Sequence, residues 1–387
     1  MSKAEIGALV IALIKSELNG LPLSSDVKDK LTPEILPSVY TLSKMHDLAH
    51  VVGDALLKNG VEVPADIKAK FLKQQSLAVF RYERIKFELE ELCAFFDQKG
   101  IPYMPLKGSV IRKYYPRPEM RTSCDIDILV KKKDVDKAVD LLVKEKGYKR
   151  DSKNSHDVST FSPSGVHVEM HYGFMDETRS VAEKVLAETW KINEPYGNFS
   201  VGKQMTSEYL ITYLTVHGAK HFLVGGCGIR TLMDIYLIEE QVEYDKGKLD
   251  VLLSRCDVKR FYEKITALSK YWFGDGEKRE DILKIQDYIF NGGVYGSLDN
   301  SVSIKASKQK SKFGFVLSRL FLPYREMLYV YPILEKAPVL YPFMVVGRWF
   351  KLLSPKKREK VRREMEISNM SDEEKQNKRK FLEEVGL

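Results

Sequence analysis

Two long segments with apolar residues at helical spacing enclose a short central stretch in which apolar and polar residues alternate. In the first segment, Thr32-Pro33-Glu34 predicts the start of a helix that ends at Asn59-Gly60. A longer helix is expected to begin at Pro64 and to run to Lys99, with Gly100 as its C-terminal cap. Helical spacing resumes near residue 206. The pattern therefore predicts two helical regions around a smaller core that contains strands.

The central stretch predicts that core. Strands are expected at 103–106, 125–130, 158–161 and 166–171, with helices at 110–115 and 134–146. The predicted fold class is α+β, in which a small mixed sheet is flanked by helical N- and C-terminal regions. The expected organisation is a helical region at 1–99, an α/β core at 100–204, a helical domain at 205–302 and a C-terminal region at 303–387. Residues 303–311 are polar and basic, which favours a linker.

Two aspartates stand out in the predicted strand at 125–130. Alternate side chains of a strand share a face, so Asp125 and Asp127 are expected to point the same way, roughly 7 Å apart. Glu169 lies on a later strand together with His171, opposite a row of apolar residues. Closely spaced carboxylates repel each other unless a cation lies between them, and hard oxygen ligands suit Mg²⁺, with Mn²⁺ as an alternative. We expect Asp125 and Asp127 to bind metal, and Glu169 to be a third ligand or a general base.

A glycine-serine turn precedes the aspartate strand and adds groups that suit a triphosphate. Gly108 and Ser109 are expected to present backbone N–H groups at a helix start, where phosphate oxygens bind well. Lys107 and Arg121 are cations near the same place, and they are expected to neutralise charge on an NTP or on the leaving pyrophosphate.

Five further residues are weaker candidates. His171 shares the strand face of Glu169. His217 and His221 are four residues apart on a predicted helix, where they either meet a ligand on one face or are packed and hydrogen-bonded. Arg230 and Asp234 have the same spacing, which favours an ion pair along the helix over a catalytic role.

Several of these segments together resemble a known family. Leu106-Lys107-Gly108, Tyr115-Pro116, the run from Arg121 through Asp125 and Asp127 to Val130, and Val168-Glu169-Met170-His171 are similar to the bacterial uncharacterised nucleotidyltransferase family. That family is part of the DNA polymerase β-like nucleotidyltransferase superfamily. Later segments are also similar to it: His217-Gly218-Ala219-Lys220-His221, Arg230 with Asp234, Tyr331-Pro332 and Pro338-Val339-Leu340. The spacing from Arg121 to Asp127 also resembles abortive-infection type II toxins, some of which transfer nucleotides onto tRNA.

The resemblance implies Mg²⁺-dependent transfer of a nucleoside monophosphate from an NTP to an acceptor: a small molecule, a sugar, a protein side chain or an RNA end. Two departures concern the triphosphate site. Lys107 stands where the broad superfamily has an apolar residue, and the gap from Gly108 to Asp125 is longer than in minimal members. A non-catalytic nucleotide- or RNA-binding module on the same fold is the alternative, although the intact acidic set argues against it.

Composition and charge place further limits. The chain has four cysteines and no CxxC pair, which favours a reducing cytoplasm over a disulfide framework. No apolar run reaches the roughly 18 residues of a membrane span. Residues 303–363 contain fifteen Lys or Arg and three Glu, a balance of +12 in a chain of net charge +8, so the remainder is acidic. This region suits contact with RNA or peripheral contact with an anionic membrane. The alternative is a helical cap that only packs on the core.

Overall fold

The computed structural model describes residues 1–175, 180–293, 298–307, 320–324, 327–328, 331–335, 337–352, 362 and 371–387. The chain divides into two compact units. The first unit comprises Met1–Ala219 and Cys227–Val294, and the second comprises Lys220–Gly226 and Tyr295–Leu387. The first unit therefore contains residues from three of the four predicted regions, and the division into four regions stays a prediction.

A five-stranded mixed sheet forms the centre of the first unit. Its strands are β1 (Tyr103–Pro105), β2 (Asp125–Val130), β3 (Lys149–Lys153), β4 (Asp157–Phe161) and β5 (His167–His171). They lie in the order β1-β2-β5-β4-β3, and only the β2–β5 pair is parallel. The expected α+β class with a small mixed sheet is thus confirmed. The alternation pattern did not identify β3, because all five of its residues are exposed on an edge strand and none is large and apolar.

One face of this sheet packs against two helices. Ile126, Ile128 and Val130 of β2 point to this side and are fully buried. They belong to a core shared with α5 (Ala65–Gln98) and α7 (Val135–Lys146). Because side chains alternate along a strand, this packing turns Asp125 and Asp127 to the opposite face of the sheet. The apolar core therefore determines which side of the sheet carries the carboxylates.

Helices from both ends of the first unit complete it. Helix α1 packs on α3, α4 and α12, and α10 packs on α12. The helices before the sheet are α1 (Lys3–Asn19), α2 (Ser25–Lys30), α3 (Leu36–Met45) and α4 (Ala49–Lys58), and α6 (Gly108–Ile111) follows β1. After the sheet come α8 (Val181–Leu186), the strand pair β6 (Asn193–Pro195) and β7 (Lys203–Met205), α9 (Ser207–Leu223), α10 (Ile229–Gln241), α11 (Lys246–Arg255), α12 (Lys259–Phe273) and α13 (Glu280–Gly292).

The second unit has a small core of its own. Its described helices are α14 (Leu298–Ser307), α15 (Tyr341–Leu352) and α16 (Asp372–Val385), with 3-10 turns at Pro332–Glu335 and Pro338–Leu340. Met327, Leu334 and Val345 are buried at its centre. Of the helices that the structure describes in either unit, none combines the length and apolar character that a bilayer span needs.

Three element predictions need correction. The helix expected between Thr32 and Asn59 is broken at residues 46–48, where Asp47 adopts φ 55° and separates α3 from α4. Residues 303–307 form the end of α14 instead of a linker, and 308–311 lie outside the described residues. The helix expected at 110–115 begins at Gly108 and tightens to a 3-10 turn at Arg112–Tyr114, ahead of Pro116.

Candidate functional site

The parallel pairing of β2 with β5 brings the predicted carboxylates together. Asp127 pairs with Glu169 and Asp125 pairs with His167 in the strand register. His171 follows on the same face of β5. The alternation in the sequence therefore identified a real cluster, and it also contained His167, which was not singled out as a candidate.

Asp127 is the most enclosed carboxylate of the cluster, and two cations bind it. Lys107 Nζ and His171 Nε2 each lie 2.7 Å from Asp127 Oδ1. Burial alone would raise the pKa of Asp127, but the charge of Lys107 and the hydrogen bond from His171 outweigh it and hold the pKa well below its usual range. Burial alone would lower the pKa of His171, but its hydrogen bonds to Asp127 and Glu169 outweigh burial and raise the pKa to about 9. Asp127 is thus ionised and His171 protonated at neutral pH.

The other two carboxylates have different environments. Burial raises the pKa of Asp125, and the neighbouring charge of Asp127 raises it further. The hydrogen bond from His171 lowers the pKa of Glu169, whose Oε2 lies 3.3 Å from His171 Nε2. Three carboxylates therefore face two cations, and a further cation would relieve the repulsion that acts on Asp125.

Donor atoms in this part of the chain lie close enough to share a metal ion. Asp127, Glu169 and His171 form one such group, and Asp125, His167 and Glu169 form a second. In each group, one donor atom from each residue lies within 4.8 Å of the other two. Glu169 belongs to both groups. The expected set of Asp125, Asp127 and Glu169 is therefore divided between two overlapping clusters, each of which includes a histidine.

Lys107 reaches the cluster from a strained turn. Its backbone has φ 46° and ψ −122°, a conformation that costs a residue with a side chain about 1–3 kcal/mol. Helix α6 begins at the next residue, Gly108. The N–H of Ser109 donates to the carbonyl of Leu106 at 3.1 Å, so one of the two amides expected to bind phosphate has a partner within the turn. The phosphate role of this turn stays a prediction.

Arg121 is buried beneath the same turn. Its Nε and Nη2 donate to the two oxygens of Asp234 at 2.7 and 2.9 Å, and its Nη1 donates to the carbonyl of Thr122 at 2.9 Å. Tyr115 also donates to Asp234, at 2.6 Å. Every nitrogen of this guanidinium thus has a partner within the protein. The ion pair expected between Arg230 and Asp234 is therefore wrong, because Asp234 binds Arg121 instead.

Arg230 contributes to a second contact with the segment before β2. Its Nη1 donates to the carbonyl of Thr122 at 2.8 Å and lies 3.3 Å from Asp47 Oδ2. The hydroxyl of Thr122 donates to the same carboxylate oxygen at 2.7 Å. Arg112 adds a hydrogen bond to Ser123 Oγ at 2.8 Å. The segment that leads into Asp125 is therefore bound by side chains from three separate parts of the chain.

Helix α9 contributes a residue that sequence reasoning missed. Tyr213 is buried, and burial is the largest cause of its raised pKa; the charge of Lys107 opposes this rise, and the charges of the three carboxylates add to it. The ring of His217 lies 6.0 Å from that of Tyr213. Neither His217 nor His221 belongs to a possible metal-binding group among the described residues. No local pattern identifies Tyr213, because it occupies an ordinary position in a largely apolar helix.

Comparison with known proteins gave one match. The model of a family described as "Uncharacterised nucleotidyltransferase" matches residues 36–274. This segment begins with α3, ends just after α12 and contains every candidate residue of the site. The curated proteins contain no match, and neither do the solved structures.

Proposed function

The chain belongs to the uncharacterised nucleotidyltransferase family, and from this premise we propose that it transfers a nucleoside monophosphate from an NTP to an acceptor and releases pyrophosphate. The observation that carries the proposal is the strand register, which puts Asp127 beside Glu169, with Asp125 two residues away on the same face. We further propose that the sheet is the core of a DNA polymerase β-like fold.

The donor set fits a hard divalent cation. Asp127 and Glu169 provide carboxylate oxygens within reach of one another, and Asp125 shares Glu169 in the neighbouring group. Mg²⁺ prefers such ligands and usually completes its shell with water and substrate phosphates, and Mn²⁺ accepts the same oxygens. When bound, the ion would neutralise charge on the phosphates during transfer. Lys107 Nζ, at 2.7 Å from Asp127, already shows that this oxygen attracts positive charge.

We assign the surrounding residues to binding and positioning. Lys107 is the cation nearest to the carboxylates and would neutralise phosphate oxygens of the NTP. Glu169 would act as the third carboxylate ligand, since the protonated His171 holds it in place. Arg121 was expected to contact the triphosphate, but its buried pair with Asp234 supports a different role. We propose that it positions the backbone that leads into Asp125.

Neither the geometry of the site nor the family identifies the acceptor. A small molecule, a sugar, a protein side chain and an RNA end all offer the nucleophile that such a transfer needs. Incubating a cell extract with the purified protein and α-labelled NTPs would identify the class, because the label would end up in RNA, in protein or in a small metabolite.

The direct test measures pyrophosphate release from each NTP with Mg²⁺, with Mn²⁺ and with EDTA. Asp127→Asn keeps the shape of the side chain but removes the charge, and it should lower transfer by about 10³-fold or more. Asp151→Asn on the exposed edge strand β3 is the matched control and should transfer normally. A folded wild-type protein that binds NTP, but neither releases pyrophosphate nor transfers the nucleoside monophosphate to an acceptor, would instead be a non-catalytic nucleotide-binding module.

A further inference from the structure

Helix α15 presents an unusual surface in the second unit. Phe343 is 72% exposed, Val346 44% and Phe350 70%, and Val339, just before the helix, is 78% exposed. The spacing of three and four residues puts Phe343, Val346 and Phe350 on one side of the helix. Pro342 and Gly347 are the other exposed residues from 341 to 350, and Arg348, the charged residue of that interval, is half-buried. A helix that faces water normally shows charged residues there.

The opposite side of α15 already has a core to pack on. Val345 is buried with Met327 and Leu334. The hydroxyl of Tyr341 donates to the carbonyl of Leu322 at 2.7 Å, and the indole of Trp349 donates to that of Leu320 at 2.8 Å. These contacts fix how the helix is rotated in its unit. Among the residues that the structure describes, the exposed apolar side therefore does not pack on the core of the second unit.

Charge indicates what covers this surface. The two charged residues within α15, Arg348 and Lys351, are both cationic. They lie in the segment 303–363, whose balance is +12 although the rest of the chain is acidic. An apolar helical side with two exposed phenylalanines and a basic surrounding sequence has the properties of helices that lie in the interface of an anionic bilayer.

We propose that the apolar side of α15 inserts into the surface of a membrane that contains anionic lipids, with the helix lying in the membrane plane. RNA is a poorer fit, because the aliphatic side chains of Val339 and Val346 offer no ring for a base to stack on and no donor for a phosphate. A protein partner would leave the excess of positive charge without a role. The proposal does not depend on nucleotidyl transfer.

The test uses the full-length protein and vesicles of phosphatidylcholine with or without about 30% phosphatidylglycerol. Wild-type protein should sediment with the anionic vesicles and not with the neutral ones, and raising NaCl from 0.1 to 0.5 M should weaken binding, because salt screens the attraction. Phe343→Glu/Phe350→Glu should lower the partition coefficient by about 100-fold or more, since each buried phenylalanine contributes roughly tenfold or more. Phe87→Glu on α5, where Phe87 is 63% exposed, is the matched control and should bind normally.

A fluorescence measurement covers the case in which the double variant fails to fold. The three native tryptophans give a background emission, so each variant is compared with the wild type. Phe343→Trp should show a larger emission shift to shorter wavelength than the wild type when anionic vesicles are added, and Phe87→Trp should show no larger shift. Three results would overturn the proposal: no binding of wild-type protein to anionic vesicles, equal binding by a folded double variant, or a Phe343→Trp shift no larger than that of the wild type. If the wild type binds tRNA but no vesicles, and the double variant loses the tRNA binding, the surface would be assigned to RNA instead.

Discussion

Arg121 has the strongest set of contacts among the residues around the site. Two of its nitrogens bind Asp234, a residue 113 positions later in the chain. An exposed ion pair between residues four apart on a helix contributes only about 0.3–0.5 kcal/mol, and Asp234 is buried. A buried guanidinium without a carboxylate would cost far more, so Asp234 pairs with Arg121.

We therefore expect Arg121→Ala and Asp234→Ala each to lower the free energy of unfolding by about 3–5 kcal/mol, because each leaves a buried charge without its partner. The double variant should lose less than the sum. Arg255→Ala removes an exposed pair with Glu188 and should cost about 1 kcal/mol or less, which makes it the control. Urea denaturation measures all four. If Arg121 served the triphosphate instead, Arg121→Ala would raise the KM for NTP while stability stayed close to that of the wild type.

His171 makes stability depend on pH. Its pKa is raised from 6.5 to about 9 in the folded protein, where hydrogen bonds to Asp127 and Glu169 outweigh burial. A raised histidine pKa contributes stability that is fully present below the unfolded value and is lost as pH rises through the folded value. In metal-free buffer, the stability advantage of the wild type over His171→Gln should therefore shrink by on the order of 2–3 kcal/mol between pH 6.5 and about 9. Chemical denaturation across this range measures it, and a constant difference would refute the assignment.

At the scale of elements, the sequence predicted the features that follow from the repeat of side chains along a strand or a helix. Alternation located Asp127 and Glu169 on one face, and Gly100 and Gly147 marked two helix ends, where both adopt positive φ. The break between α3 and α4 was not predictable, because the local pattern continues through it. Its stability depends on Asp47, whose partners Thr122 and Arg230 come from distant segments.

This break gives an element-scale prediction. Asp47→Gly keeps the left-handed backbone, which glycine adopts readily, but removes the carboxylate that binds Thr122. We expect kcat to fall by about 10- to 100-fold, because the backbone before Asp125 loses a fixed contact and small misplacements at a reacting centre are costly. The KM for NTP should change much less. Asp257→Gly is the control, since Asp257 is exposed and has φ 56° between α11 and α12. Equal kcat in both variants would mean that the contact does not position the site.

At the scale of the whole molecule, the first helix extends the unit beyond the segment that the family match covers. Helix α1 ends before residue 36, yet it packs on α3, α4 and α12, which lie within residues 36–274. Gly7 makes the close contact of α1 with α13 possible, because a Cβ at this position would lie 2.2 Å from the ring of Phe290. The helix is thus fitted to this chain's own later helices.

Gly7→Val should lower the free energy of unfolding by about 1–3 kcal/mol, since the added methyl groups overpack the contact with Phe290. Ala8→Val introduces the same side chain at the next, exposed position of α1 and should change stability by less than about 0.5 kcal/mol. Thermal denaturation of both proteins provides the measurement. Similar melting temperatures for the two variants would show that α1 can shift away from α13 without loss.

The ion pair between Lys107 and Asp127 has a consequence for the order of assembly. A divalent ion that approaches Asp127 meets an oxygen already bound by an ammonium at 2.7 Å, so it competes with an internal counter-ion. A nucleotide offers Lys107 other anionic oxygens and thereby removes that competition. Metal and nucleotide should then bind cooperatively, and each should raise the affinity of the other by the same factor.

A titration with Mn²⁺ followed by electron paramagnetic resonance tests this expectation. Without nucleotide, Lys107→Met should bind Mn²⁺ more tightly than the wild type. When a non-hydrolysable NTP is added, the Mn²⁺ affinity of the variant should rise little. If the proposed transfer takes place, the protein would then carry little metal between one transfer and the next and would complete its metal site only when the nucleotide arrives.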